Sequence, residues 1–205
     1  MSAPFQAFRS AVLPLLRDDV DTDQIIPARF LKAVDRDGMG AGLFADWRYD
    51  RMGAPRPEFV LNDPSMEGRR ILLAGANFGC GSSREHAAWA LAAWGIRAVL
   101  APSFADIFQA NALKNGLLPI VLHQPALAAV QEAVAADPGT EVGVDLEGRV
   151  VELANGERLP FEVDRFSRSM LLAGTDELGY LLSFEEQIAA FDDQLAGLRP
   201  TTLSG

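Results

Sequence analysis

Apolar segments and helix-like segments alternate through the middle of the chain. Three short apolar runs have the length and composition of buried strands, and they lie at residues 69–75, 96–101 and 117–122. Three alanine-rich segments with the character of helices follow them, at residues 83–95, 103–116 and 125–137. Strands and helices of this length in alternation predict a largely parallel sheet with helices packed against it.

Residues at the ends of these segments predict where the helices begin and end. Ser82 and Ser103 are each followed three positions later by an acidic residue, which is the spacing of a capping box. Gly95 and Gly116 stand where a glycine commonly ends a helix, in the left-handed conformation. We therefore take Ser103 as the candidate cap of the second helix, and a cap at Ser82 is one interpretation of the turn before the first helix.

The pattern changes after Pro138. Residues 140–163 alternate apolar and polar positions, and the dipeptide Asn155-Gly156 lies where a tight turn is expected. Alternation of this kind indicates strands with one buried and one exposed face. We expect a β-hairpin or a β-meander here.

Length and composition favour one folded domain. The chain has 205 residues, of which 49% are hydrophobic and 22% charged, so it can form an ordinary hydrophobic core. Residues 183–195 predict a final helix, and we expect residues 196–205 to be a disordered tail. We assign residues 1–195 to a single α/β domain.

Charge and hydropathy exclude several partners. The net charge of −10 argues against binding to nucleic acid or to an anionic membrane surface, because both carry phosphate groups of the same sign. The most apolar stretch, residues 86–105, is interrupted by Gly95, Arg97 and Pro102, so it does not predict a membrane span. The amino-terminal residues lack the apolar core of a secretory signal. We expect a soluble, cytoplasmic protein.

The chain contains one cysteine, Cys80. A single cysteine excludes an internal disulfide and cannot by itself anchor a cysteine-ligated metal cluster. We therefore expect no metal site and no cofactor site within this chain.

A glycine-rich turn at residues 75–84, "GANFGCGSSR", joins the first predicted strand to the first predicted helix. Three interpretations stand side by side. It is a structural turn in which Ser82 caps the helix, or a dinucleotide-binding loop, or a site for an anion. The dinucleotide interpretation is the weakest, because Arg84 occupies the position of the third glycine in G-x-G-x-x-G.

The anion interpretation has a clear physical basis. Backbone N–H groups at residues 81–84, at the positive end of a helix dipole, favour a carboxylate or a developing negative charge. Arg84 offers a planar guanidinium that matches a carboxylate with two hydrogen bonds. A serine hydroxyl among these donors is stabilised when it loses its proton, and it can then act as a base. This interpretation is compatible with a structural role for the same turn.

Four segments, in order along the chain, resemble one family. The segment "NFGCGSSREHAAWAL" resembles the G-x-G-S-S-R-E-H-A signature of the aconitase superfamily. The other three are similar to segments of the small subunits of 3-isopropylmalate dehydratase: "DDVDTDQIIPARFL", "SFADIFQANALKNGLLPI" and "FEVDRFSRSMLLAGTDELGYLLSFEEQIAAFD". Together they span nearly the whole chain, roughly residues 5–193.

This resemblance implies a swivelling β/β/α domain like the last domain of aconitase, made as a separate polypeptide. It implies a large-subunit partner that carries a [4Fe–4S] cluster on its own cysteines. It also implies a hydro-lyase that interconverts 2-isopropylmalate and 3-isopropylmalate, both dicarboxylates, through isopropylmaleate in leucine biosynthesis. Two alternatives stay open: the small subunit of a citraconate/citramalate or homoaconitate hydratase, and a non-catalytic partner that only stabilises a large subunit.

The resemblance also implies residue roles. Ser82 matches the catalytic serine base, Ser83 and Arg84 match positions that hold a substrate carboxylate, and Asp23 matches an aspartate that orders the site. Residues 29–42 correspond to the loop on which substrate choice depends. We expect this glycine-rich loop to be mobile in the free chain and to close over the substrate's apolar branch when the partner docks.

Overall fold

The computed structural model describes residues 3–31, 38–175 and 177–182. Within these ranges seven strands form one mixed sheet in the order β4-β3-β2-β1-β5-β6-β7. The strands are β1 (Phe8–Leu15), β2 (Ile71–Ala74), β3 (Ala98–Ala101), β4 (Leu118–Val121), β5 (Glu141–Asp145), β6 (Val150–Glu152) and β7 (Arg158–Pro160).

The helices of the described residues vary widely in length. They are α1 (Thr22–Ile25), α2 (Ala45–Arg48), α3 (Glu85–Trp94), α4 (Asp106–Lys114), α5 (Ala126–Ala136), α6 (Arg165–Ala173) and α7 (Glu177–Leu182). Short 3-10 helices lie at Ala28–Phe30, Met39–Gly42, Val60–Asn62 and Pro64–Met66. Across the described ranges, no helix has both the length and the apolar character needed to cross a membrane.

The sheet has a parallel half and an antiparallel half that meet at β1. On one side β1 pairs in parallel with β2, with Val12 opposite Ile71. On the other side it pairs antiparallel with β5, with Phe8 opposite Val144. The predicted alternation from β2 to α5 is confirmed, and so is the antiparallel meander from β5 to β7. Gly156 has a φ of 85°, as the predicted turn requires.

The strands of the parallel half are buried on both faces, which explains their continuous apolar sequences. On one face Leu72 and Val99 belong to a core that also contains Leu91 of α3 and Phe108 of α4. On the opposite face Ile71 belongs to a second core, together with residues of α5 and α6. The sheet therefore carries helices on both of its faces.

The candidate cap at Ser103 is wrong, and so is the part of the structural interpretation in which Ser82 caps a helix. Helix α3 begins at Glu85 with Arg84 as its N-cap, and α4 begins at Asp106 with Ala105 as its N-cap. Neither cap residue makes a side-chain capping hydrogen bond. The hydroxyl of Ser103 instead accepts a hydrogen bond from the backbone N–H of Asn77, at 2.8 Å.

The predicted helix ends are closer to the structure. Helix α3 ends at the left-handed Gly95, as predicted. Helix α4 has Asn115 as its C-cap, and the left-handed Gly116, with a φ of 78°, follows one position later. The predicted helix at 183–195 and the tail at 196–205 lie outside the described residues.

Candidate active site

The glycine-rich turn, residues 75–84, leaves the carboxyl end of β2 and leads into α3. An acidic segment, residues 18–23 ("DDVDTD"), leaves the carboxyl end of the neighbouring strand β1 and leads into α1. Ligands of open α/β sheets bind outside the carboxyl ends of parallel strands. The sequence-predicted site residues Ser82, Ser83, Arg84 and Asp23 all lie on these two segments.

Backbone hydrogen bonds join the two segments along their length. Near the strands, the N–H of Gly75 donates to the carbonyl of Arg17 at 3.1 Å, and the N–H of Asp19 donates to that of Ala76 at 2.9 Å. Farther along, the N–H of Gly79 donates to Val20 at 2.7 Å and that of Thr22 donates to Cys80 at 2.9 Å. The acidic segment therefore supports the turn from β2 to its apex.

Packing against aromatic side chains also fixes the backbone of the glycine-rich turn at Gly79. Gly79 has a φ of 79°, and a Cβ atom at this position would overlap the side chain of Phe108. Phe108 packs edge-on against Phe78, with ring centroids 5.3 Å apart, and stacks with Phe104, with centroids 6.2 Å apart. Only glycine satisfies both the backbone angle and the space at this position.

The two serines stand at the exposed part of the turn. Among the described residues, neither hydroxyl makes a hydrogen bond, and the backbone N–H groups of Gly81, Ser82 and Ser83 donate to no acceptor. The Ser82 hydroxyl is not occupied as a helix cap. It is therefore available to a ligand, together with these three N–H groups.

The N–H group of Arg84 is not part of that donor set. It donates to the carbonyl of Ser82 at 2.8 Å, so the expectation that all four amides of residues 81–84 face a ligand is wrong for this one. The bond arises because the chain reverses at Ser83 before α3 begins.

The side chain of Arg84 makes an ion pair with Asp23 of α1. The Arg84 side chain is 21% exposed and the Asp23 side chain is 54% exposed, so the pair lies at the surface of the site. Helix α1 is itself held by a capping box, in which Asp21 accepts from the N–H of Gln24 at 2.8 Å and Gln24 accepts from that of Asp21 at 3.1 Å. The structure thus brings Arg84 and Asp23 together and places the two serines on the same turn.

Thr22 is a site residue that the sequence interpretation missed. Its side chain is 1% exposed, and its hydroxyl donates to the carbonyl of Ser82 at 3.0 Å. Its position between two aspartates of the acidic segment was the available signal, but a threonine next to aspartates has many ordinary roles.

The first residues of α3, which follow the turn, pack against neighbouring side chains. The ring of His86 lies 4.6 Å from that of Trp89, centroid to centroid, and the indole N–H of Trp89 donates to the side-chain carbonyl of Asn115 at 2.7 Å. These contacts join α3 to the end of α4. His86 and Trp89 therefore have structural roles here.

Metal ligands do not converge at this site. Over the part of the chain that the structure describes, no three His, Cys, Asp or Glu side chains could hold a metal ion. Cys80 is half-buried, and its pKa is raised by burial and then by the nearby charges of Asp21 and Asp19. A [4Fe–4S] cluster is held by several cysteine thiolates, and Cys80 is one cysteine without other ligands beside it, so the described residues do not fit such a cluster.

Part of the loop at residues 29–42 is built into the core. Residues 32–37 lie outside the described ranges. Met39–Gly42 forms a buried 3-10 helix, and a Cβ atom on Gly40 would lie 3.0 Å from the carbonyl oxygen of Ala93 in α3. The glycines of this part allow close packing against α3, and the mobility of the loop and its closure over the substrate stay predictions.

Similarity to known proteins identifies the family. The sequence profile described as Aconitase C-terminal domain matches residues 3–125, and the profile described as LeuD_N matches residues 129–165. The 3-isopropylmalate dehydratase small subunit of Anaeromyxobacter dehalogenans strain 2CP-1 is 54% identical over 92% of this chain and 97% of its own length. The chain belongs to the family of 3-isopropylmalate dehydratase small subunits.

Two further proteins named as 3-isopropylmalate dehydratase or its small subunit are similar to this chain. The 3-isopropylmalate dehydratase small subunit of Chloroflexus aurantiacus is 52% identical over 90% of both chains. A crystal structure of 3-isopropylmalate dehydratase (leuD) from Methanocaldococcus jannaschii matches with a TM-score of 0.64 and 29% identity, over 91% of this chain and 99% of that one. The predicted fold class, a mixed α/β domain of the aconitase type, is confirmed.

Proposed function

We propose that this chain is the small subunit of a hydro-lyase that interconverts 2-isopropylmalate and 3-isopropylmalate through isopropylmaleate in leucine biosynthesis. Membership of the small-subunit family supports the reaction. The observation that carries the site assignment is the Ser82 hydroxyl, which is exposed at the top of a rigid turn, occupied by no cap and located two residues from a guanidinium.

Arg84 and Ser83 are proposed to bind a carboxylate of the substrate. One terminal nitrogen of Arg84 contacts Asp23, and a guanidinium has further N–H donors in the same plane. The N–H groups of Gly81, Ser82 and Ser83 add donors close to the start of α3. Asp23 carries the same charge as the substrate, so we assign it to orienting Arg84 rather than to contacting the carboxylate directly.

Ser82 is proposed to move the proton. In the dehydration direction its deprotonated oxygen takes a proton from C3 of 2-isopropylmalate. The C–H electron pair forms the C2=C3 double bond, and the C2 hydroxyl leaves with its own bonding pair and takes one proton from solvent to become water. In the hydration direction water adds with its oxygen on C3 and releases one proton to solvent, while Ser82 returns its proton to C2 and is again deprotonated. The nearby N–H groups and guanidinium lower the cost of the charged oxygen.

The large subunit is proposed as the necessary partner and as the holder of the [4Fe–4S] cluster. The printed names of the relatives, "small subunit", support the partner. The absence of a three-ligand group among the described residues is consistent with a cluster held elsewhere. We further place the complex in the cytoplasm, where a lone unpaired cysteine is ordinary.

Steady-state turnover of the assembled two-subunit enzyme tests the reaction. The panel compares 2-isopropylmalate, 3-isopropylmalate, citramalate and homocitrate, and absorbance reports the unsaturated intermediate. We expect kcat/KM to be highest for the two isopropylmalates. Faster turnover of citramalate or homocitrate would instead favour the related hydratases and overturn the substrate assignment.

A further inference from the structure

Thr22 makes two hydrogen bonds to the glycine-rich turn, one on each side of Gly81. Its N–H donates to the carbonyl of Cys80 at 2.9 Å, and its hydroxyl donates to the carbonyl of Ser82 at 3.0 Å. Gly81 has a φ of 91°, and a Cβ atom there would lie 3.7 Å from the Thr22 hydroxyl oxygen. Buried Thr22 therefore holds the backbone on both sides of Gly81, a glycine whose backbone could otherwise adopt many conformations.

The Ser82 carbonyl is held from two directions. It accepts from the Thr22 hydroxyl at 3.0 Å and from the Arg84 N–H at 2.8 Å. These bonds fix the peptide plane between Ser82 and Ser83. The same plane sets the direction in which the side chain of Ser82 leaves the backbone, because the two share the Cα atom.

Burial protects the hydrogen bond that the Thr22 hydroxyl donates. The residue is 1% exposed, so water does not compete for this hydrogen bond. The hydroxyl makes no bond to the backbone of its own helix, which is the more common partner of a threonine. Its bond reaches instead across 60 positions of sequence to Ser82.

We propose that Thr22 is a positioning residue that aims the Ser82 hydroxyl at the substrate proton. The inference rests on the proposed role of Ser82 as the base. Proton transfer needs donor and acceptor within hydrogen-bond reach, and a misplacement of about 1 Å can lower the rate about 10²-fold. Arg84, which Asp23 orients, is proposed to bind the substrate carboxylate and makes no side-chain contact with Thr22, so loss of the Thr22 hydroxyl is expected to lower kcat much more than it raises KM.

The test uses the assembled enzyme with Thr22→Val, which keeps the shape of the side chain and removes the donor. We expect kcat to fall about 10- to 100-fold while KM for 2-isopropylmalate stays nearly unchanged. Thr22→Ser retains the hydroxyl and is expected to keep most of the wild-type kcat. Thr140→Val makes the same chemical change at a half-buried position outside the site and is expected to leave kcat unchanged.

A double-mutant cycle separates this inference from the proposed function. If Thr22 acts through Ser82, Thr22→Val has no further effect on the residual rate of Ser82→Ala. An equal fold-loss in both backgrounds, or an equal loss for Thr22→Ser and Thr22→Val, would overturn the positioning role. Full turnover by Ser82→Ala alone would overturn the proposed base instead. If Thr22→Val does not fold, Thr22→Ala removes the same donor and carries the same expectations.

Discussion

Arg84 and Asp23 form an ion pair between residues that lie 61 positions apart in the chain. Arg84 is the N-cap residue of α3, and Asp23 lies in the first turn of α1. The pair therefore links the two segments that leave neighbouring strands and border the candidate site. Because both side chains are at the surface, we regard the pair as a means of orienting the guanidinium rather than as a large contribution to stability.

Removal of the Ser82 hydroxyl tests whether this chain takes part in catalysis or only stabilises the large subunit. We expect Ser82→Ala to lower kcat at least about 10²-fold in the assembled enzyme, on the scale of a lost general base. Because Ser82 is exposed and caps no helix, the free energy of unfolding should be nearly unchanged. Steady-state kinetics and urea unfolding measure both. Ser83→Ala is the matched control and should raise KM more than it lowers kcat.

Replacement of the guanidinium tests carboxylate binding. We expect Arg84→Lys to raise KM chiefly, because an ammonium group cannot contact Asp23 and a planar carboxylate in the same two-pronged manner. Asp23→Asn keeps the guanidinium but loses the charge that orients it, and its KM should lie between those of wild type and Arg84→Lys. A KM for Arg84→Lys equal to that of wild type would contradict the assignment.

Gly79 is expected to be sensitive to substitution for two separate reasons, its backbone angle and the space around it. Gly79→Ala combines a left-handed φ with overlap against Phe108, so we expect a loss of about 3 kcal/mol in unfolding free energy. Gly156→Ala is the control, because Gly156 also has a positive φ but no atom lies within 4 Å of its ideal Cβ position. That variant should lose only about 1 kcal/mol. Similar losses in urea titrations of the two variants would contradict the packing argument.

The amino-terminal cap of α6 predicts a pH dependence of stability. Burial acts to raise the pKa of Asp164, but hydrogen bonds from the side chain and backbone of Ser167 outweigh it, and the pKa lies below the ordinary value of 3.8. A lowered pKa means that the unfolded chain binds the proton more tightly. The cap's contribution is therefore complete above the ordinary pKa and is lost as the pH falls through the folded-state value.

Asp164→Asn keeps an oxygen acceptor at the N-cap but does not titrate. We expect the unfolding free energy of this variant to fall less steeply than that of wild type as the pH is lowered below 4. Asp164→Ala should cost about 1 kcal/mol at neutral pH. Urea titrations at a series of pH values give all three curves, and parallel curves for wild type and Asp164→Asn would refute the prediction.

The sequence predicted the elements whose signals are local. Strands β2, β3 and β4 and helices α3, α4 and α5 could be predicted because each carries its own apolar pattern between glycine or proline residues. Strand β1 was missed although it is central, because Arg9 and Ser10 interrupt its apolar pattern and Pro14 is unusual inside a sheet. Arg9 in fact pairs with Glu152, and Ser10 accepts from the N–H of Arg70.

The errors at the site have one cause. The motifs led to Ser82, Ser83, Arg84 and Asp23, and the structure places these residues on two adjoining segments. The spacing of Ser82 and Ser103 suggested local caps, but the Ser103 hydroxyl accepts a hydrogen bond from the N–H of Asn77, and Arg84 rather than Ser82 is the N-cap of α3. A capping box and a long-range contact can have the same sequence spacing. The choice between them depends on which segment lies beside the turn, and only the folded chain settles that.

The mixed pairing of β1 also has a consequence for how the protein is made and engineered. Its parallel neighbour begins at Ile71 and its antiparallel neighbour at Glu141, so β1, although first in chain order among the described strands, has its full set of hydrogen bonds only after Glu141–Asp145 has been synthesised. An amino-terminal deletion that removed Phe8–Leu15 would take away the strand that joins β2 to β5, and it would leave both halves of the sheet with an unpaired edge.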